Sequence, residues 1–204
     1  MLERVINRTV TRRRRAAEPC ELCGAPLADA HSHLLSERDG QLLCACRACK
    51  LLFERGGAGL GRFQLVPDRR VRLAGPPPQD LGIPVGLAYF VKNPDDVVVA
   101  HYPSPAGPTR WELDPATWER LTGQYEPLRA MRPRLEAFLV AVVRGMDERW
   151  LVPIDDCHRL VALVRAEWKG MSGGQELWTR LSTFFAELDK DKGGRHGTDP
   201  SGQA

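Results

Sequence analysis

The sequence has no apolar run that approaches the roughly 18 residues needed to cross a bilayer. Its basic N-terminus is not followed by an apolar segment, so no secretory signal peptide is predicted. The net charge is only +3. Residues 1–17 hold six arginines and one acid, so the rest of the chain has no excess of positive charge. We therefore expect a cytoplasmic protein without a membrane span, whose folded part has no basic face for nucleic acid.

Cysteine is scarce outside one short window. Of the six cysteines in the 204 residues, all but Cys157 lie between positions 20 and 49. In a reducing compartment, paired Cys-x2-Cys motifs indicate a metal or redox site rather than a disulfide framework. The main question is therefore which of these sulfurs bind a metal ion.

Two Cys-x2-Cys knuckles supply the predicted ligands, which are Cys20, Cys23, Cys46 and Cys49. The glycine after Cys23 suits the first knuckle, because such a turn favours a residue that adopts a positive φ. The second knuckle leads into "KLLFER", a predicted helix whose N-terminus stabilises nearby thiolates. The order of knuckle, hairpin and helix is that of a treble-clef or zinc-ribbon finger. We predict a bound Zn²⁺ ion held by these four thiolates.

Three further residues of this window have side chains that can bind a metal ion. Cys44 is surplus to a tetrahedral site, and we expect it near the ion as a small buried hydrophobe. His31 and His33 are placed similarly to the catalytic histidines of HNH nucleases. The supporting Asp-His and downstream Asn/His pattern of those enzymes is missing, so we expect polar surface residues on a hairpin.

Iron is the alternative metal, and it would make the chain a rubredoxin-like electron carrier. The "CELCG" knuckle fits that class of site. The second knuckle is followed by Lys50 rather than glycine and leads into a helix, which favours zinc.

The rest of the chain predicts an α+β fold, with an antiparallel sheet and C-terminal helices packed on one of its faces. We expect a disordered arginine-rich leader at 1–17, a metal-binding module at 18–55, an α+β domain at 62–188 and a disordered tail at 189–204. The predicted elements are a strand–turn–strand around Pro67, a hairpin over 83–102, a helix capped by Asp114, a helix over 134–146, a strand over 149–154, a helix capped by Asp155 or Asp156, and a last helix opened by Ser172.

No catalytic constellation is predicted. The neighbours Cys157 and His158 point about 100° apart on a helix, so they do not form a nucleophile–base pair. The five tryptophans are predicted to lie in the core: Trp111, Trp118, Trp150, Trp168 and Trp178. The chain is therefore expected not to be an enzyme.

Several stretches resemble a bacterial family without an assigned reaction, whose genes lie beside nickel–iron hydrogenase genes of the high-affinity uptake type. These stretches include "CELCGAPL", "LLCACRACKLLF", "LGIPVGLAYF", "WLVPIDDCHRLV" and "SGGQELW", and the resemblance covers about residues 18–188. It implies a zinc-binding accessory or assembly protein that binds a hydrogenase subunit or maturation factor. The alternatives are an iron electron carrier for that hydrogenase and an HNH-like nuclease.

Overall fold

A computed structural model describes residues 18–54, 61–75, 81, 86–170 and 173–190 of the chain. It divides into two compact units, one ending at Val66 and one beginning at Pro67. The leader predicted at 1–17 lies outside the described residues, as do residues 55–60 and the last fourteen residues of the predicted tail.

The described part of the first unit contains a three-stranded antiparallel sheet and one short helix. Strands β1 (Ser32–Ser36) and β2 (Leu42–Ala45) form a hairpin, and β3 (Phe63–Leu65) pairs with the other edge of β1. Helix α1 (Arg47–Phe53) follows β2 directly. The small core of this unit is formed by Cys20, Leu27, Leu34, Ala45 and Cys49. Two of the predicted metal ligands are therefore core residues.

The second unit is built on a six-stranded antiparallel sheet with the strand order β4-β9-β8-β5-β6-β7. The strands are β4 (Val71–Arg72), β5 (Leu87–Lys92), β6 (Val98–Tyr102), β7 (Thr109–Glu112), β8 (Glu136–Val143) and β9 (Met146–Pro153). The helices are α2 (Pro115–Gln124), α3 (Glu126–Arg129), α4 (Ile154–Glu167) and α5 (Gly174–Lys190). The α+β class predicted from the sequence is confirmed.

Helices cover both faces of the larger sheet. Phe90, Phe138 and Val140 share one core with Trp118 and Leu121 of α2, and residues of α3 join it. Alternation along a strand turns Leu139 to the opposite face, where it is fully buried. Helix α4 packs against β8, β9 and α5. The C-terminal helices thus cover one face as expected, whereas the cover provided by α2 and α3 on the other face was not anticipated.

The helix predicted over 134–146 is wrong, because this segment contains strand β8, the turn after it and the first residue of β9. Apolar residues recur there at helical spacing, but they belong to the nearly continuous apolar run "EAFLVAVV". A strand buried on both faces has such a run, and periodicity alone does not distinguish it from a buried helix. Positive φ angles at Arg134 and Arg144 mark the two ends of the strand.

Three other local predictions have different outcomes. The strands beside Pro67 exist but do not pair, because β3 pairs with β1 and β4 pairs with β9. Asp114 caps α2 as predicted, and its carboxylate accepts a hydrogen bond from the Thr117 N–H at 3.0 Å. Helix α4 is preceded by Pro153 at its cap position, so Asp155 and Asp156 lie in its first turn and do not cap it.

Two further predictions concern exposed or undescribed residues. Of the five tryptophans predicted to lie in the core, Trp118 and Trp150 are buried and Trp168 and Trp178 are half-buried, but Trp111 is 71% exposed on the edge strand β7. The predicted cap Ser172 lies outside the described residues.

We predict that His101 makes the second unit less stable in mild acid. Its ring stacks on Tyr89 with centroids 4.8 Å apart, and burial, aided by the positive charge of Arg110 and by His158, lowers the pKa of His101 from 6.5 to about 4. The unfolded chain therefore takes up this proton at a higher pH than the folded chain does. The free energy of unfolding should fall as the pH is lowered from 6.5 to 4, and His101→Gln should weaken this dependence. An imidazole pKa of 6.5 or above, measured by NMR titration, would contradict the prediction.

Candidate metal centre

The structure brings the four predicted ligands together. The sulfur atoms of Cys20, Cys23, Cys46 and Cys49 all lie within 4.8 Å of one another, and none of them forms a disulfide. The Sγ atoms of Cys23 and Cys46 are 3.7 Å apart. Zinc–sulfur bonds of about 2.3 Å in a tetrahedron place neighbouring sulfurs about 3.8 Å apart. The spacing of the thiols therefore fits a tetrahedral thiolate-bound ion.

The first knuckle is a tight turn that directs one sulfur inward. Gly24 has a φ of +76°, as its place after Cys23 predicted. The Gly24 N–H donates to the Cys20 carbonyl at 2.8 Å, and the Cys20 N–H donates to the Ala25 carbonyl at 2.7 Å. Cys20 is consequently 2% exposed, whereas Cys23 lies at the surface.

The second knuckle lies at the junction of β2 and α1. Cys46 is the N-cap residue of α1, and Cys49 is buried in the first turn of the helix. The Cys46 N–H points at the Cys20 sulfur, 3.4 Å away. Glu21 and Cys44 join the first knuckle to β2, because each donates its backbone N–H to an oxygen of the other. The hairpin therefore holds the two knuckles together.

The four thiols do not ionise alike. Burial raises the pKa of Cys20, but backbone N–H groups, including that of Cys46, outweigh it and lower that pKa to about 6. Burial raises the pKa of Cys49 to about 12, with the neighbouring thiols adding to the effect. Without a metal, ionisation of Cys20 is therefore favoured and ionisation of Cys49 is strongly disfavoured. Binding of a divalent ion would release the remaining protons, since only thiolates ligate it.

A second group of metal-ligating atoms lies in the same unit. The ligand atoms of His31, His33 and Cys44 are within 4.8 Å of one another, and all three residues are half-buried. Sequence reasoning treated these residues separately and so missed the group. The signal was the His-x-His pattern opposite a cysteine of the same hairpin, which depends on a strand register that the sequence does not give.

The neighbours Cys157 and His158 are not brought together as a nucleophile and base. Cys157 is fully buried, and burial, reinforced by Asp156 and Asp155, raises the pKa of its thiol well above the ordinary value. His158 lies on the exposed side of α4. A protonated, inaccessible thiol is not a nucleophile.

The comparison with protein families matches residues 19–192 to a family of unknown function (DUF5947). This match covers both units and all seven cysteine and histidine ligand candidates. The chain belongs to the DUF5947 family. The description assigns DUF5947 proteins no activity, and no curated protein or solved structure matches the chain. The chemistry of this DUF5947 protein must therefore be argued from its own residues.

No helix within the described ranges combines the length and the apolar character needed to cross a membrane.

Proposed function

We propose that this protein is a cytoplasmic zinc-binding accessory protein that acts by binding a protein partner and catalyses no reaction itself. The observation that carries the proposal is the approach of the four cysteine sulfurs to within 4.8 Å of one another. Four thiolates fill the coordination shell of Zn²⁺ and leave no position for a substrate, as in structural rather than catalytic zinc sites.

The metal would stabilise a unit with little core of its own. Cys20 and Cys49 are buried among Leu27, Leu34 and Ala45, so the ligands themselves form much of the apolar interior. Units of this size usually need a metal or disulfides to fold, and these cysteines form no disulfide. Zinc is favoured over iron because the second knuckle caps a helix, a feature of treble-clef fingers.

The adjacent leucines of helix α1 provide the candidate contact surface. Leu51 is 57% exposed and Leu52 is 61% exposed, although both belong to a helix whose first turn holds a ligand. Two neighbouring exposed leucines on a rigid helix indicate a protein contact, whereas scattered single ones do not. The metal would fix the orientation of this leucine pair.

The proposed partner is a subunit or maturation factor of a nickel–iron hydrogenase. The sequence resemblance described above is the support for this choice, and it rests on stretches spread over both units. Deletion of the gene should then lower hydrogenase assembly or activity. Normal assembly and activity in the deletion strain would contradict the hydrogenase role without affecting the proposed zinc site.

We predict that Leu51→Glu together with Leu52→Glu abolishes partner binding while the metal stays bound. The reason is that two charges replace the exposed apolar contact without touching the cysteines. Affinity capture from the native host, followed by mass spectrometry, measures the loss against the unmodified chain. Leu22 is half-buried against the small core, so Leu22→Met is a matched control that should keep both partner and metal. Unchanged capture by the double variant would show that the partner binds elsewhere.

A further inference from the structure

We propose that His31, His33 and Cys44 form a second metal site, which binds a divalent transition-metal ion and leaves one coordination position open to an exchangeable ligand. The site is separate from the four-cysteine centre and goes beyond the function proposed above. Three observations support it: the strand register, the hydrogen bonding of His31 and the chemistry of the donor set.

The register of the hairpin brings the three side chains to one place. His33 on β1 lies directly opposite Cys44 on β2. Residues opposite each other in an antiparallel pair point to the same face, with Cβ atoms about 5 Å apart. His31 lies immediately before β1, two positions before His33. The two imidazole rings have their centroids 4.9 Å apart.

The hydrogen bonding of His31 prepares its ring for a metal. Its Nδ1 lies 3.1 Å from the Ala28 carbonyl oxygen, and a carbonyl only accepts, so Nδ1 carries the proton. In the neutral ring, Nε2 then presents its lone pair. This Nε2 atom is buried, and no hydrogen-bond partner for it exists among the described residues. Metal-ligating histidines commonly donate their other ring N–H to a backbone carbonyl in this way.

The donor set selects the class of ion. Two imidazole nitrogens and one thiolate suit borderline transition metals such as Zn²⁺ and Co²⁺, and they do not suit Mg²⁺ or Ca²⁺, which prefer oxygen ligands. Three protein ligands leave a tetrahedral ion with one further position, as in zinc sites that exchange a bound water. An ion held by three half-buried residues should also exchange faster than one held by four cysteines.

The test is a Co²⁺ titration of protein that has been loaded with one Zn²⁺ and dialysed. We expect one further ion to bind, with the visible absorption of tetrahedral Co²⁺ and a sulfur-to-cobalt charge-transfer band. His31→Ala, His33→Ala and Cys44→Ser should each weaken this second binding at least about 100-fold while the first ion stays bound. His158→Ala, an exposed histidine of the other unit, is the matched control and should leave both ions bound.

Two results would overturn the proposal. One is a wild-type chain that takes up no second ion. The other is a set of three variants that bind Co²⁺ as the wild type does. The zinc content is measured before cobalt is added. A chain that retains no zinc at this stage would contradict the four-cysteine proposal rather than the second site. Added imidazole should shift the cobalt bands, and unchanged bands would show that the fourth position is closed.

Discussion

Replacement of Cys20, Cys23, Cys46 or Cys49 by serine is expected to remove the tightly bound metal and unfold the first unit. Structural zinc contributes on the order of 10 kcal/mol to the folding of such modules, and a zinc-bound unit of this size has no other comparable source of stability. Loss of one thiolate also leaves the others crowded in a small core, where Cys49 already resists ionisation. Metal analysis and hydrogen exchange of the first unit measure the two effects together.

Cys44→Ser is the informative companion to these variants. Cys44 groups with the two histidines and not with the four sulfurs, so the tightly held ion and the fold of the first unit should both survive. Loss of that ion in Cys44→Ser, with retention in Cys46→Ser, would show that the ligand set is wrong.

Replacement of Arg69 by methionine is expected to destabilise the second unit by about 1–3 kcal/mol, because the buried carboxylate of Glu136 then loses its charged partner. Arg69 itself is 41% exposed, so water offsets part of the loss. Arg69 binds both carboxylate oxygens of Glu136, one of them at 2.9 Å. Glu136 is fully buried at the start of β8, and its carboxylate also accepts a hydrogen bond from the Arg132 N–H at 2.8 Å. Denaturant unfolding, followed by the fluorescence of buried tryptophans, measures the loss.

Two further variants compare the contribution of this ion pair to stability with that of an exposed ion pair. Arg180→Met removes an exposed arginine that pairs with Glu176 at 3.3 Å, and it should cost less than about 1 kcal/mol. Arg69→Met combined with Glu136→Gln should recover part of the stability, since the buried charge is then gone. A loss in Arg69→Met as small as that in Arg180→Met would show that the pair does not stabilise the second unit.

The features that the sequence predicted well are those whose chemistry is local. The spacing within each Cys-x2-Cys knuckle, with Gly24 after the first, predicted which sulfurs meet. The hairpin predicted over 83–102 contains β5 and β6, and the predicted cap Asp114 precedes α2. In each case the necessary geometry is contained within a few neighbouring residues.

The features that sequence reasoning missed depend on residues far apart in the chain. The apolar residues of strand β8 recur at helical spacing because both faces of the strand are buried. Two separate pairs of helices bury these faces, which explains why nearly every residue of the strand is apolar. The pairing of Arg69 with Glu136 spans 67 positions. The meeting of Cys44 with His31 and His33 depends on the register of β1 and β2. Sequence spacing alone does not give the strand register or the long-range pairing on which these contacts depend.

The most direct test of the central claim is zinc-edge X-ray absorption of the purified chain after dialysis against a weak chelator. We expect one zinc ion per chain, surrounded by four sulfur atoms at about 2.3 Å. The absence of zinc, a red iron-containing protein, or a zinc ion bound by nitrogen or oxygen atoms would contradict the proposed four-cysteine zinc site.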